Sequence, residues 1–382
     1  MVVYMGDIMD RPWIFVAEHL MGEPYDIVHF FWRDDLRTIL WPDHLHRAAA
    51  QSGIAPALII SILERPVITT SIYDHLHLDM TGPEDRAAIF RFAHGYAVSS
   101  PRLDRIYRAL PDVPPPDCVI TDGVDVALFA GPEAADPRPP RSDGALVIGW
   151  VGNSRWGEHS HVDAKGLRTI LRPALDLLQA EGLPVVGYFA DSQQQKRTRA
   201  EMVDYYKDID VLICASTIEG TPNPVLEAMA AGAAIVATDV GIVPDVLGPL
   251  QQDFILQERT PEAMAAMLRR LVLDRDLLAR LRAENRVGIQ GWDWSERTRD
   301  WPVLWREAAL RQADVRQAQL RRSALMARVG LDDAGQRLTT MPSLSDTLHK
   351  MPVLSRIRYA AARQLYRYPR LVRIVNRVRG RS

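Results

Sequence analysis

The chain has 382 residues, of which 47% are hydrophobic and 25% charged, with a formal net charge of −2. These proportions are near globular averages and give no sign of disorder, and the length favours two or three domains. Two cysteines without CxxC spacing argue against a disulfide framework or a zinc site, and no apolar run reaches membrane-spanning length.

The first residues, Met-Val-Val-Tyr-Met-Gly-Asp, lack a basic n-region and a cleavage site, so no signal peptide is expected and the cytoplasm is the default compartment. The small net charge hides an asymmetry. Residues 311–382 hold 16 Lys/Arg against 4 Asp/Glu, leaving 30 against 44 in the rest of the chain. Such a split marks a separate segment with its own partner.

The first half opens with a strand at Val2–Met5, a turn at Gly6-Asp7 and a helix carrying Trp13, Phe15, Val16 and Leu20. Asp26–Phe31, Pro66–Ile72, Tyr96–Ser100 and Cys118–Thr121 read as further strands, and Ala57–Ile62 as a strand or a helix. Strands alternating with helical stretches predict a parallel, doubly wound sheet. Pro111–Pro116 breaks the pattern before Cys118, and Gly131–Gly144, rich in Pro, Ala and Asp, reads as a linker.

A second set of strands is predicted at Ala145–Gly152, Leu183–Phe189, Asp210–Ser216, from Ala234, and at Phe254–Leu256. Thr260-Pro-Glu262 is an N-cap with proline at the first helical position. A helix pair from Pro261 to about Arg286 and the Trp-rich segment Trp292–Leu310 follow.

The most informative stretch is Glu219-Gly-Thr-Pro-Asn-Pro-Val-Leu-Glu227, followed by Ala-Met-Ala-Ala-Gly232 and a buried strand leading to Thr238-Asp-Val-Gly241. Pro222 and Pro224 suit a helix start, where the first N–H groups lack intrahelical partners. Those N–H groups and the positive helix end form a site for phosphate. Glu219 stands at its mouth and Glu227 about one turn inside. A diphosphate flanked by two hydroxyl-binding carboxylates describes a nucleotide-sugar pocket.

This stretch resembles the glutamate–seven residues–glutamate signature of retaining GT-B glycosyltransferases, most closely glycosyltransferase family 4, the glycosyl transferases group 1. The similarity continues through Thr238-Asp-Val-Gly-Ile-Val-Pro-Asp245, and Asp122-Gly-Val-Asp125 with Phe129 resembles the family's "NGVD…F" turn. The resemblance covers roughly residues 1–310. It implies an α/β GT-B fold: two Rossmann-like, doubly wound parallel-sheet domains facing a cleft, to which the charge split adds a basic helical C-terminal tail. The first, residues 1–130, takes the acceptor. After a linker at 131–144, residues 145–310 bind the nucleotide sugar and end in a helix that crosses back to the first domain; the tail is 311–382.

The activity so implied is metal-independent, retaining transfer of a sugar, hexosyltransferase in type, from a UDP- or GDP-sugar to a hydroxyl on a glycan or lipid-linked acceptor, with no cofactor. By the same resemblance Glu219 orients the donor sugar and supports charge at its anomeric carbon. Glu227 holds the ribose hydroxyls, and Gly220, Thr221, Pro222 and Asn223 line sugar and phosphate. Lys165, in Asp163-Ala-Lys-Gly166, matches the family's "KG" position. Arg155, in Gly152-Asn-Ser-Arg-Trp156, is the other cation offered to the diphosphate, across a longer loop than is common. Fixed cations and helix N–H groups suit a developing phosphate charge because they need no reorganisation. His75 is the candidate for the family's catalytic histidine, although Tyr73 occupies its usual place and His77 lies further on.

Asp208-Ile-Asp210 fits a metal-binding Asp-x-Asp pattern literally, but a helix-to-strand junction is where Asp caps and turns are expected, so no metal site is assigned. Two other readings stay open, a GT-B nucleotide-sugar epimerase and a catalytically silent scaffold. The tail supplies the last expectation. Ile357, Ala361 and Leu365, then Leu371, Ile374, Val375 and Val378, fall at helical spacing among nine arginines and three tyrosines. A basic amphipathic helix of this kind implies an anionic membrane surface as partner, through residues 350–381, and a peripheral location at the inner face. Nucleic acid fits less well, since no nucleic-acid fold accompanies the charge.

Overall fold

The computed structural model of the chain describes residues 2–5, 25–40, 56–75, 78, 83–130, 144–156, 163–328 and 330. The helix expected around Trp13, the linker and the tail element at 350–381 lie outside the described residues.

Strands β1 (Val2–Met5), β2 (Ile27–Phe30), β3 (Val67–Ile72), β4 (Gly95–Val98) and β5 (Cys118–Val119) form a parallel sheet in that order. Helices α1 (Arg33–Ile39), α2 (Pro56–Leu63), α3 (Pro83–Phe92) and α4 (Pro101–Arg108) connect them, and α5 (Val126–Ala130) follows. The Ala57–Ile62 stretch is thus helical. β3, Val-Ile-Thr-Thr-Ser-Ile, is buried along its whole length, as central parallel strands are. Its polar side chains are satisfied inside: His29 bonds Thr69 Oγ1 at 2.9 Å and Ser71 Oγ at 3.0 Å, and Thr70 Oγ1 donates to the Phe30 carbonyl at 3.0 Å.

The second sheet runs β10-β9-β8-β6-β7, all parallel: β6 (Leu146–Gly152), β7 (Val185–Asp191), β8 (Val211–Cys214), β9 (Ala234–Thr238) and β10 (Ile255–Leu256). Its helices are α6 (Arg172–Ala180, entered through a π-helical turn at Leu167–Leu171), α7 (Arg199–Asp208), α8 (Asn223–Ala230), α9 (Val243–Val246), α10 (Pro261–Leu273) and α11 (Arg275–Gly288). Alternation along β8 builds a core on each face. Leu212 and Cys214 pack with Leu226 and Met229, whereas Val211 and Ile213 pack with Leu171 and Leu268.

The two sheets differ in winding. The described strands of the first succeed one another in sequence order, while in the second the chain passes from β7 across β6 to β8. The order therefore reverses between β6 and β8, and the crevice beyond the carboxyl ends of those two strands is the switch point at which open α/β sheets bind ligands.

Short α12 (Trp294–Arg297) leads into α13 (Trp301–Ala313) and α14 (Val315–Arg328), which cross back to the first sheet. Leu304 of α13 packs on Ala97 and Ile120, and Trp301 and Trp305 lie against His29 at ring separations of 4.7 and 6.5 Å. Leu325 and Met326 of α14 enter the first core, and Arg322 pairs with Glu64 at 2.6 Å. Residues 311–328, grouped with the basic tail by charge, are packed against the first half.

Candidate functional site

The loops that follow β6 and β8 meet at the switch point. Asp163 organises the first. Its buried carboxylate accepts from the backbone N–H groups of Gly166 (3.1 Å), Arg168 (2.7 Å) and Thr169 (2.8 Å), capping the helical entry. Gly166 has φ 71°, and a Cβ there would lie 2.5 Å from the Ala215 carbonyl oxygen, so only glycine fits. Arg259 ties the two loops together, donating to the carbonyls of Asp163 (2.6 Å) and Ala215 (2.8 Å), while the Thr217 N–H bonds the Ala164 carbonyl at 2.9 Å.

This scaffold aims Lys165 across the gap. Its ammonium forms an ion pair with Glu219 Oε1, which also accepts from Ser216 Oγ at 2.7 Å. The face of Trp156 lies 5.5 Å from the same ammonium, a cation–π contact. Thr238 Oγ1 fastens the loop from behind by donating to the Ser216 carbonyl at 2.6 Å. Arg155 lies on the exposed rim, where its backbone N–H bonds Asn153 Oδ1 at 2.9 Å. The structure thus brings Lys165 and Glu219 into contact and leaves Arg155 at the surface.

α8 begins just after this pair, at Asn223, with Pro222 before it and no side chain capping its N-terminus. Its first amides, with no side chain capping them, and its positive end thus follow Glu219 by four residues. Glu227, one turn in, sits elsewhere: its Oε2 accepts from the Tyr206 hydroxyl at 2.7 Å. Burial pushes the Glu227 carboxyl upward, against the hydrogen bond from Tyr206 and the charge of Arg199, and burial together with Glu227 pushes the Tyr206 hydroxyl well above its ordinary value.

The turn between Glu219 and α8 is pressed against the first half. A Cβ on Gly220 would lie 2.7 Å from the Tyr73 carbonyl carbon and 2.5 Å from Ser99 Oγ, closer still to the Tyr73 oxygen. Thr221 Oγ1 donates to the Ser99 carbonyl at 3.3 Å, and Arg102 pairs with Asp239 and donates to its carbonyl at 2.8 Å. Tyr73 is thus the first-half residue at the turn; His75 lies two residues beyond it, partly buried, and His77 is outside the described residues.

Local sequence patterns missed Ser216, Trp156, Tyr206 and Asp122. Asp122 is 7% exposed and accepts from the Tyr73 hydroxyl at 3.0 Å. Asp210 lies at the opposite, amino end of β8, engaged by the Val147 N–H (2.9 Å) and Arg282 (3.4 Å). Among the described residues no group of three or more His, Cys, Asp or Glu is arranged to hold a metal ion.

Residues 193–287, which carry Glu219, Asn223 and Glu227, match the family described as "Glycosyl transferases group 1". No curated protein matches the chain by sequence. Among solved structures, sucrose-phosphate synthase from Thermosynechococcus elongatus aligns over 79% of each chain, at 15% identity and a TM-score of 0.52. Anabaena Alr3699/HepE in complex with UDP and glucose aligns over 78% of this chain and 82% of its own, at 16% identity and a TM-score of 0.53. The same protein with UDP-glucose aligns over 75% and 80%, at 15% identity and a TM-score of 0.50. At these identities the likeness is one of fold: the chain has the two-sheet α/β architecture of GT-B glycosyltransferases, with a glycosyl transferases group 1 segment at its switch point.

Proposed function

We propose that the chain is a retaining glycosyltransferase that moves a sugar from a nucleoside-diphosphate sugar to a hydroxyl acceptor without a metal ion. The observation that carries this reading is the Lys165–Glu219 pair set beside the uncapped start of α8 at the switch point of the second sheet. A diphosphate there meets one fixed cation and the helix N–H groups, which need no reorganisation as charge builds on the leaving oxygen. Glu227 accepts the ribose hydroxyls. Glu219, held by Ser216 as well as Lys165, takes hydroxyls of the donor sugar and supports positive charge at the anomeric carbon. Arg155, on the rim, offers a second cation, and Gly220 through Asn223 line sugar and phosphate.

In the reaction the bond from the anomeric carbon to the phosphate oxygen breaks, and the nucleoside diphosphate leaves with its electron pair. The acceptor oxygen bonds the same face of that carbon and its proton passes to the leaving phosphate. The donor is a UDP- or GDP-sugar; the HepE structures, which hold UDP or UDP-glucose on a similar fold, support a UDP-sugar as the first to test. The acceptor, glycan or lipid-linked, approaches from the first half, where Tyr73 adjoins the donor turn and His75 is the candidate catalytic histidine. The basic segment 350–381 holds the enzyme on the inner face of a membrane. Among the described residues no helix is long and apolar enough to cross one.

The test is a panel of UDP- and GDP-sugars screened for thermal stabilisation, then acceptor-dependent nucleotide release with the best donor and the anomeric configuration of the product. Release of free sugar epimer without acceptor dependence would make the chain an epimerase. A chain that no nucleotide sugar stabilises would be a scaffold.

A further inference from the structure

We propose that Asp122 is a positioning residue that clamps the Gly220–Asn223 turn from the first half of the molecule. The inference rests on the reading of that turn as the donor site. Two points of contact bracket the turn, and both lead back to Tyr73. At one end the Tyr73 carbonyl is pressed onto Gly220. At the other, the Tyr73 hydroxyl donates to Asp122 Oδ1 at 3.0 Å, and Asn223, the first residue of α8, is near enough to the same carboxylate to oppose the rise in its pKa.

Asp122 is itself held. Behind it the Val124 N–H donates to the Trp292 carbonyl at 2.9 Å, and the Trp294 N–H to the Val124 carbonyl at 3.2 Å. A Cβ on Gly123 would lie 2.8 Å from Trp294 Cα, so the Asp122-Gly-Val124 strip is seated directly on the 292–294 backbone. Tyr73 is steadied by Phe31, at a ring separation of 4.3 Å. A carboxylate 7% exposed is costly to bury unless its acceptors are used. Burial pushes its pKa up to about 6, with the hydrogen bond from Tyr73 and the Asn223 amide opposing.

Asp122→Ala, Asp122→Asn and Tyr73→Phe in the full chain test this, with two readouts at pH 7.5. The first, amide hydrogen exchange through residues 220–226, needs no ligand; the second is UDP binding by calorimetry. Asp122→Ala is expected to speed exchange there and to weaken UDP binding, each at least tenfold. Asp122→Asn, which keeps an acceptor oxygen, should stay within threefold of the parent on both. Tyr73→Phe, which removes one hydroxyl, should move both in the direction of Asp122→Ala even if the alanine variant does not fold. Parental exchange in folded Asp122→Ala or in Tyr73→Phe overturns the clamp. Faster exchange in the variants of a chain that does not bind UDP upholds the clamp and overturns the UDP-donor reading instead.

Discussion

Lys165 and Glu219 reach each other from two different loops, 54 positions apart in sequence, and their ion pair joins the loops that follow β6 and β8. The pair is partly exposed, so its value to stability is small; its location is what matters. Gly166 and Asp163 hold the loop of the ammonium, while Ser216, itself fastened by Thr238, holds the carboxylate, so both charges are preorganised at the proposed donor site.

Glu219→Ala and Glu227→Ala are each expected to lower turnover at least tenfold, roughly 1.4 kcal/mol of transition-state stabilisation or more. Lys165→Ala should raise the donor KM as well as lower kcat, because phosphate is met in both ground and transition states. Steady-state kinetics on variants shown to be folded by circular dichroism decide this. Parental activity in folded Glu219→Ala would remove the catalytic assignment.

Gly220→Ala tests the seam between the halves. The added methyl meets the Tyr73 backbone, and no side-chain rotation relieves that overlap. Either the Tyr73 segment or the donor turn must move, so transfer should fall at least about tenfold, a 1.4 kcal/mol rise in barrier, and the thermal midpoint should drop. Unchanged kinetics and an unchanged midpoint would show that the seam yields freely.

The strands were legible because a parallel strand covered on both faces is a continuous apolar run, as in Val-Leu-Ile-Cys at β8. The Ala57–Ile62 run was ambiguous for the same reason, since periodicity cannot separate a short buried helix from a buried strand. Glu219, Glu227 and the turn could be nominated because they lie in one contiguous stretch, and Lys165 because it stands in its own short motif, Asp163-Ala-Lys-Gly166. Tyr73 on Gly220, Tyr73 on Asp122 and Tyr206 on Glu227 were not, because each depends on how separate segments meet. Charge counting also placed residues 311–328 with the tail. A count cannot register that Leu325 and Met326 of α14 are buried in the core of the first half.

Acid should destabilise the fold through two buried histidines. Burial pushes His29 down to about 3; burial, with Arg321 next, pushes His94 down to about 4. Unfolded, each takes a proton near pH 6.5, so between about pH 6.5 and 4 the unfolded chain binds more protons and stability falls as pH falls. The slope approaches ~1.4 kcal/mol per pH unit for each histidine. His94 Nδ1 accepts from the Ile68 N–H at 2.8 Å, and an asparagine oxygen can take that place. In His94→Asn the pH dependence of the urea midpoint over this range should therefore lessen by close to one proton. An unaltered dependence would mean that His94 is protonated in the folded state.

On the proposed reading Lys165 and the start of α8 take the role a divalent ion plays elsewhere, so transfer should persist in excess EDTA. Complete loss of activity under chelation, restored by Mg²⁺, would reinstate a metal and direct attention to residues outside those described.

The basic tail makes the last prediction. Ten Lys/Arg lie between Lys350 and Arg381 with no acidic residue among them. Each cation held near an anionic membrane contributes about 1 kcal/mol before crowding reduces it. A fraction of that sum, added to burial of Leu371, Ile374, Val375 and Val378, suffices for reversible attachment. Screening shortens the reach of these charges as salt rises. The full chain should therefore sediment with anionic liposomes at low salt and detach at high salt. A version ending near Asp346 should keep α13 and α14 on the first half, and so its fold, yet remain in the supernatant. Its donor hydrolysis, or transfer to a small soluble acceptor, should match that of the full chain, since Lys165, Glu219 and Glu227 lie far upstream. A full-length chain that ignores anionic liposomes at low ionic strength would rule out the membrane assignment for this segment.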